Sequence, residues 1–232
     1  MPRAAAILIA GLAVGFGLGF SVRGPVSSGA GSGDGEVSAV RSASRTPFII
    51  EGRPFQGPED ASVEFVEFTD YECAFCRRFH QTTYPEIRRK YEGRVKWIVR
   101  NYPLTQIHPN AALAAEAAEC ALDQGQGAFW EYHDLLFERH DRLGRSDLKA
   151  YSRELGLDGD RFDGCLDGGE KRAVVQADLR DGFRFGVTGT PTFFINGQVV
   201  VGAQSPDVVS TFIDVALEEA AVVPANDLTS TE

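Results

Sequence analysis

Two cysteines in this 232-residue chain, Cys73 and Cys76, have the C-x-x-C spacing that suits reversible sulfur chemistry. The apolar run at 63–68 predicts a strand before them, and the residues after Cys73 predict a helix. The first turn of a helix has unpaired N–H groups and a partial positive charge, which favour a thiolate over a thiol. The second cysteine lies one turn along, within disulfide reach. We therefore predict Cys73 as the nucleophile and Cys76 as the resolving cysteine.

A C-x-x-C pair also occurs as half of a zinc site or as an inert structural disulfide, and both alternatives stay open from spacing alone. A zinc ion would need further ligands from Cys120, Cys165 or a histidine. The sequence contains no second C-x-x-C and no H-x3-H pair. We therefore expect a redox pair and no metal ion.

The elements that position the two cysteines follow from apolar patterning. Only two glutamates interrupt the run at 63–68, which is typical of a central strand covered on both faces. Pro85 should kink or split the helix that follows. Residues 94–100 alternate as a second strand, and the order strand, helix, strand predicts a parallel pair. Three apolar side chains of the helical region should face the core: Phe75, Phe79 and Ile87.

About 80 residues of helical pattern then precede the rest of the sheet. Caps, apolar periodicity and stopping glycines predict helices at 110–125, 129–137, 146–156, 160–166 and 172–185. Asn196-Gly197 predicts a hairpin turn between strands at 192–195 and 198–201. A last helix should open at Ser205 with a cap followed by proline. The sequence thus predicts an α/β domain at 47–221 with a helical insertion at about 104–185.

The N-terminal residues predict the compartment. Residues 4–22 form an uncharged run of 19 residues, long enough to cross a bilayer as a helix. We interpret residues 1–23 as a membrane anchor, with a cleaved signal segment as the alternative, and both place the folded part outside the cytoplasm. In 24–46, 11 of 23 residues are Gly or Ser, which predicts a flexible tether. We expect a disordered tail at 222–232, and the net charge of −10 disfavours nucleic-acid binding.

Several separated motifs resemble those of DsbA-like thiol:disulfide oxidoreductases, which belong to the thioredoxin superfamily. They are G-P-E-D-A-S (57–62), E-F-T-D-Y-E-C-A-F-C (67–76), H-P-N-A (108–111), Q-G-Q-G-A-F-W (124–130) and G-V-T-G-T-P-T-F-F-I-N-G (186–197). The similarity covers roughly residues 47–220. It implies a thioredoxin fold, a central mixed sheet flanked by helices, with an inserted helical domain.

The resemblance assigns roles to three further residues. Pro191 matches a cis-proline whose loop faces the C-x-x-C pair and holds the substrate strand, and Thr190 matches a position that tunes redox behaviour. Glu67 matches a buried carboxylate that assists proton transfer at Cys76. Ala74 departs from the family, since many relatives have proline there. From the residues themselves, we expect Asp70 and Glu72 to raise the pKa of Cys73 and Arg77 and Arg78 to lower it.

The other two cysteines, Cys120 and Cys165, lie in the predicted insertion, where DsbA-like relatives carry cysteines at matching places. The resemblance predicts a structural disulfide between two helices, with a shuttle partner for the active pair as the alternative. Closing a loop of about 45 residues would contribute roughly 4 kcal/mol in the chain-entropy model. We expect the four histidines to be packing or surface groups, and His80 is the one that merits a test.

The resemblance implies an extracytoplasmic enzyme that introduces disulfides into exported proteins through Cys73 and Cys76. Its partners would be reduced exported clients and a membrane protein of the DsbB or vitamin K epoxide reductase type that reoxidises it. The sulfur atoms carry the chemistry, so no cofactor is expected. The alternatives are a disulfide reductase or isomerase, or a non-catalytic chaperone or metal-binding module with this fold.

Overall fold

A computed structural model describes residues 50–222, which form a five-stranded mixed sheet with helices on its faces. The sheet order is β1-β3-β2-β4-β5. The strands are β1 (Phe55–Gln56), β2 (Val63–Thr69), β3 (Val95–Asn101), β4 (Thr192–Ile195) and β5 (Gln198–Val201). The helices are α1 (Ala74–Thr82), α2 (Tyr84–Lys90), α3 (Ala111–Leu122), α4 (Gln126–Glu138), α5 (Arg145–Glu154), α6 (Gly159–Gly168), α7 (Arg172–Arg184) and α8 (Pro206–Val222).

The β2 strand lies at the centre of the sheet and is buried on both faces. It pairs in parallel with β3, from Val63 opposite Val95 to Thr69 opposite Asn101, and antiparallel with β4. Alternate residues of β2 enter the two apolar clusters on opposite faces of the sheet. The predicted parallel pair and central strand are therefore confirmed.

The hairpin of β4 and β5 closes the sheet beside β2. Its turn places Asn196 at φ 45° and Gly197 at φ 90°, the left-handed conformations that this dipeptide adopts readily. The Asn196 side chain accepts a hydrogen bond from the Glu64 backbone N–H at 2.8 Å and donates one to the Ser62 carbonyl. These bonds fix the hairpin to the start of the strand that leads to Cys73.

The helix that carries the two cysteines ends after two turns, as Pro85 predicted. Thr83 separates α1 from α2, and Pro85 occupies the first turn of α2. One expectation on this helix is wrong: Phe75 is 58% exposed, although Phe79 and Ile87 are buried. Periodicity identifies the face of a helix but not whether another element covers its first turn. The ring of Phe75 lies against the Arg78 guanidinium instead.

Helices α3–α7 lie between β3 and β4 in chain order. A disulfide joins Cys120 of α3 to Cys165 of α6, with a Cα–Cα distance of 5.9 Å. At two helix starts, the structure differs from the predicted cap. Asn110 precedes α3 but its side chain donates to Glu72, and α5 begins at Arg145, before the predicted cap at Ser146.

The predicted anchor at 4–22, the tether at 24–46 and most of the predicted tail at 222–232 lie outside the described residues. Within residues 50–222, no helix combines the length and apolar character that spanning a bilayer requires.

Candidate active site

The two cysteines of the C-x-x-C pair sit at the start of α1, just beyond the carboxyl end of β2. Cys73 is the residue that precedes the first helical turn, and its carbonyl accepts the Arg77 N–H at 3.0 Å. Cys73 is 5% exposed and Cys76 is fully buried. Both are free thiols in this structure. Only the first cysteine therefore offers an accessible sulfur to another protein.

The two sulfur atoms differ sharply in acidity. A hydrogen bond from the Cys76 thiol, with further ones from Thr190 and the backbone N–H groups of Cys76 and Phe75, lowers the pKa of Cys73 to about 5 against the opposing effect of burial. Burial, followed by the interaction with Cys73, raises the pKa of Cys76 well above its usual value. Near neutral pH the pair therefore consists of a thiolate at Cys73, the less buried of the two, and a fully buried thiol at Cys76.

The loop opposite the cysteines is held by a cis peptide bond between Thr190 and Pro191. In its thiol form, Cys73 donates a hydrogen bond to the Thr190 carbonyl at 3.4 Å. The Pro191 carbonyl accepts the Gly202 N–H at 2.8 Å, which fixes the loop to the end of β5. The structure thus brings Cys73 together with the adjacent residues Thr190 and Pro191, although Thr190 follows Cys73 by 117 residues in the sequence.

Glu67 lies in β2 on the buried side of the cysteine pair and is 3% exposed. It is close enough to Cys76 that its charge contributes to the raised pKa of that thiol. Both of its carboxylate oxygens lie 3.1 Å from Nε2 of His80. This buried pair joins the strand that leads to the site with the helix that carries the cysteines.

His80 has a role at the site that its sequence pattern did not predict, since we expected a packing or surface histidine. It is buried, but it bonds to the carboxylate beside Cys76. A signal was present in the spacing, because His80 follows Cys76 by four residues and so lies on the same face of α1. That face is the one that α1 turns towards Glu67.

Asp70 and Glu72, which we expected to raise the pKa of Cys73, are not among the largest influences on it, and neither are Arg77 and Arg78, which we expected to lower it. The two oxygens of Asp70 accept hydrogen bonds from the Glu72 N–H at 2.8 Å and the Leu104 N–H at 2.8 Å. Glu72 accepts two from Asn110, from its backbone N–H at 2.6 Å and its side chain at 2.9 Å. Both carboxylates therefore hold the loop before α3 against the active-site turn. Hydrogen bonds from Cys76, Thr190 and the backbone of the turn lower the pKa of Cys73.

One group near the cysteines could supply three metal ligands within the described part of the chain. His80, His133 and Asp134 each place a ligand atom within 4.8 Å of the others. However, Nε2 of His80 already contacts Glu67 at 3.1 Å, and Nδ1 of His133 contacts the Tyr71 hydroxyl at 2.9 Å. We assign no metal ion to this group.

Comparison with known proteins gives the chain a family. A family model described as thioredoxin matches residues 50–215. The oxidised form of BdbD from Bacillus subtilis superposes with a TM-score of 0.68 at 25% identity, over 76% of this chain and 99% of that one. The Wolbachia pipientis protein alpha-DsbA1 superposes with a TM-score of 0.66 at 20% identity, over 76% and 96% of the two chains, a likeness of fold.

A sequence relative comes from a different kind of protein. The chain is 38% identical over 169 residues to "Na(+)/H(+) antiporter NhaA 3" of Salinispora tropica, which is 73% of this chain and 25% of that one. The chain thus spans about a quarter of the length of such relatives. Because the family model covers most of the chain and the sheet, helices and cysteine pair agree with it, the chain belongs to the thioredoxin family and is a DsbA-like member of its superfamily.

Proposed function

We propose that this protein is an extracytoplasmic thiol:disulfide oxidoreductase that introduces disulfides into exported proteins. The observation that carries the proposal is the opposite displacement of two pKa values within one helical turn: that of Cys73 is lowered to about 5 and that of Cys76 is raised. An inert pair has no need of such a difference, whereas an exchange site needs one sulfur that leaves easily.

The proposed reaction starts from a Cys73–Cys76 disulfide and a client with two thiols. A client thiolate attacks Sγ of Cys73, forming a mixed disulfide, and Cys76 leaves as a thiolate that takes up a proton. The second client thiolate then attacks the client sulfur of the mixed disulfide and displaces Cys73 as a thiolate. The client has lost two electrons and gained a disulfide, and the enzyme is reduced.

The lowered pKa of Cys73 supports oxidation of clients over their reduction. A stabilised thiolate lowers the free energy of the reduced enzyme, so the disulfide form becomes the stronger oxidant. It also makes Cys73 the better leaving group of the two sulfurs. The second step of the reaction therefore releases an oxidised client readily.

The loop at Thr190 and Pro191 supports client binding. Its backbone lies against Cys73, with the Thr190 carbonyl at 3.4 Å from the sulfur. An extended client segment beside this loop would bring its own sulfur to Cys73. In the proposal, Thr190 adjusts the acidity of Cys73, and Glu67 assists the proton transfer that Cys76 needs.

Location and partners rest on sequence and resemblance. The uncharged run at 4–22 supports membrane anchorage, with the folded part outside the cytoplasm. A membrane protein of the DsbB or vitamin K epoxide reductase type would reoxidise the pair. The antiporter relatives match over a quarter of their own length, and ion transport is not part of the proposal.

Equilibration of the full-length chain with glutathione redox mixtures tests the direction of electron flow. We expect Cys73 and Cys76 to equilibrate at a potential near those of disulfide donors, above about −200 mV. In the same preparation, the oxidised form should convert a reduced two-cysteine peptide to its disulfide. A potential as reducing as about −270 mV would reject the oxidase in favour of a reductase.

A further inference from the structure

The sulfur of Cys76 must gain a proton when the disulfide opens and lose it when the disulfide re-forms. Cys76 is fully buried, and Glu67, whose charge acts on it, is 3% exposed. Cys73 is the other neighbour, but in a mixed disulfide its sulfur is bonded to the client and accepts no proton. During that step, protons therefore need a route on the Glu67 side of the pair.

His80 lies on this side and connects Glu67 to open space. Its Nε2 is 3.1 Å from both oxygens of Glu67. The same residue lines a cleft of about 580 Å³ between α2 and α4, to which Tyr84, Arg88 and Asp134 also contribute. His80 thus joins a carboxylate that is itself closed off from solvent to a cavity that is large enough for several water molecules.

We propose that His80 is a positioning residue that moves protons between Glu67 and this cleft, so that Cys76 can exchange a proton while Cys73 is bound to a client. The inference rests on the proposed function and deepens it, since it assigns a residue to the proton step of that reaction.

Two side chains on the α4 side of His80 are uncharged, while Asp134 of the same helix places a carboxylate oxygen within 4.8 Å of a ring nitrogen of His80. Burial, and then the charge of His80, lower the pKa of His133 well below its usual value, so His133 is neutral. Its Nδ1 is 2.9 Å from the Tyr71 hydroxyl. The ring of Phe137 stacks on that of His80, with centroids 4.1 Å apart. His133 and Phe137 hold the imidazole in place without competing for its proton, and Asp134 of α4 places an acidic side chain near the ring.

The other neighbours of His80 determine how well its ring can carry a positive charge. Burial raises the pKa of Tyr84 far above neutral, so its hydroxyl stays uncharged. Asp134 and Arg88 line the cleft with opposite charges. Glu67 is the charged group in direct hydrogen-bond contact with the ring. A transient imidazolium at His80 is therefore stabilised by a carboxylate at 3.1 Å.

The transfer balances without any further reactant. When Cys76 leaves as a thiolate, it takes up a proton through Glu67, and Glu67 takes that proton from Nε2 of His80. Nδ1 of His80 is buried and makes no hydrogen bond with residues 50–222, so a water molecule of the cleft must reach it to supply the proton that replaces the one lost from Nε2. His80 thereby passes from the Nε2–H tautomer through the imidazolium to the Nδ1–H tautomer. Reoxidation runs the same steps in reverse, and only protons pass through His80.

The test measures the rate at which Cys76 reacts, separately from the reaction of Cys73. Reduced full-length protein is converted to a mixed disulfide between Cys73 and glutathione, and the attack of Cys76 then releases glutathione at a measurable rate. In His80→Gln, the amide can still donate to Glu67 but cannot carry a proton. At each pH between 6 and 8, we expect this rate to be about tenfold lower than in the unchanged protein. This is less than the hundredfold or more that is typical of losing the group that exchanges a proton with the reacting atom, because Glu67 remains. The thiolate titration of Cys73 should be unchanged.

Two further variants and a control sharpen the result. His140→Gln is the control. His140 contacts Arg77 of α1, the helix that also carries His80, at 3.2 Å, but it does not contact Glu67. In His80→Gly, added imidazole should enter the cleft and restore the rate. Glu67→Gln combined with His80→Gln should be no slower than Glu67→Gln alone, since the two residues act in series.

An unchanged rate in His80→Gln, an equal loss in His140→Gln, or additive losses in the double variant would each overturn the inference. So would a slow His80→Gly variant that keeps its thermal stability and does not respond to imidazole. None of these results touches the proposed function, which fails separately if the potential is strongly reducing or the peptide is not oxidised.

Discussion

The two cysteine pairs of this protein differ in their bonding state within one fold. Cys73 and Cys76 share one helical turn at the end of a central strand, and both are free thiols. Cys120 and Cys165 join α3 to α6 across a sequence separation of 45 residues. The first pair faces a cis-proline loop and a buried carboxylate, and the second lies among the apolar side chains of the insertion. Reactivity thus depends on what surrounds the sulfur atoms.

The largest expected effect is on turnover. Cys73→Ser should abolish oxidation of a reduced peptide, a loss of at least about a thousandfold, because a hydroxyl is not ionised near neutral pH and forms no disulfide. The combined change Cys120→Ser and Cys165→Ser should leave the turnover within about twofold. Peptide oxidation assays on both variants test the comparison directly. Turnover that survives in Cys73→Ser, or disappears in the double variant while the fold persists, would reverse the two assignments.

For the stability of the fold, we expect the Cys120–Cys165 pair to matter more than the Cys73–Cys76 pair. Removing the Cys120–Cys165 link should lower the free energy of unfolding by about 2–4 kcal/mol, since its loop of 45 residues is no longer closed in the unfolded chain. Denaturant unfolding of the oxidised protein and of the double variant measures this difference. Reducing only Cys73–Cys76 serves as the matched control, because that pair closes a much shorter loop. Equal unfolding midpoints for the oxidised protein and the double variant would contradict a structural role.

A third prediction concerns the pH dependence of the reduced active site. The pKa of Cys73 is about 5 in the folded state against 9.0 for a free cysteine, so its stabilising effect is complete above pH 9 and is lost as pH falls towards 5. The stability of the reduced form relative to the oxidised form should therefore rise between pH 5 and 9. Paired melting curves measure it, and the Cys73 alkylation rate should be half-maximal near pH 5. A half-point near 9 would remove the basis of the proposed function.

The smallest expected effect is on stability and comes from Glu119 in the helical insertion. Its pH dependence has the opposite sign to that of Cys73. Glu119, next to Cys120, accepts a hydrogen bond from Asn101 at 2.7 Å. Burial, and then the nearby Asp178, raise the pKa of Glu119 from 4.5 to about 7. Its stabilising contribution is therefore complete below pH 4.5 and is lost as pH rises through 7.

Glu119→Gln should remove that pH dependence and stabilise the protein by about 1–2 kcal/mol at pH 8, because the amide needs no charge and can still accept from Asn101. Denaturant unfolding at pH 5 and pH 8 provides the measurement. Glu116→Gln on the same helix is the control. Glu116 lies 3.5 Å from the guanidinium of Arg172, so the same substitution there removes a carboxylate that faces a cation. A variant that is destabilised at pH 8 would show that Glu119 is needed as a carboxylate.

Much of the fold follows from local sequence because its signals are local. The run at 63–68, the proline that separates α1 from α2 and the turn at Asn196 and Gly197 each set backbone geometry through nearby residues. Buried polar groups were harder to predict. Arg100 is fully buried and bonds to Asp178 at 2.6 Å, although the sequence shows only a charged residue at the end of a strand. Such pairs join residues far apart in the chain, so no periodic pattern reveals them.

By itself, the sequence determined the type of chemistry: C-x-x-C after an apolar strand predicts a reactive sulfur at a helix start, and this depends only on neighbours along the chain. Tertiary structure decided which groups control that sulfur. Asp70 and Glu72, which lie within three residues of Cys73, bond to the loop before α3. Thr190 reaches Cys73 from 117 residues away, and His80 reaches Glu67 from the helix that carries the cysteines. The reason is physical, since hydrogen bonds and charges act over a few ångströms of space, whatever the separation along the chain.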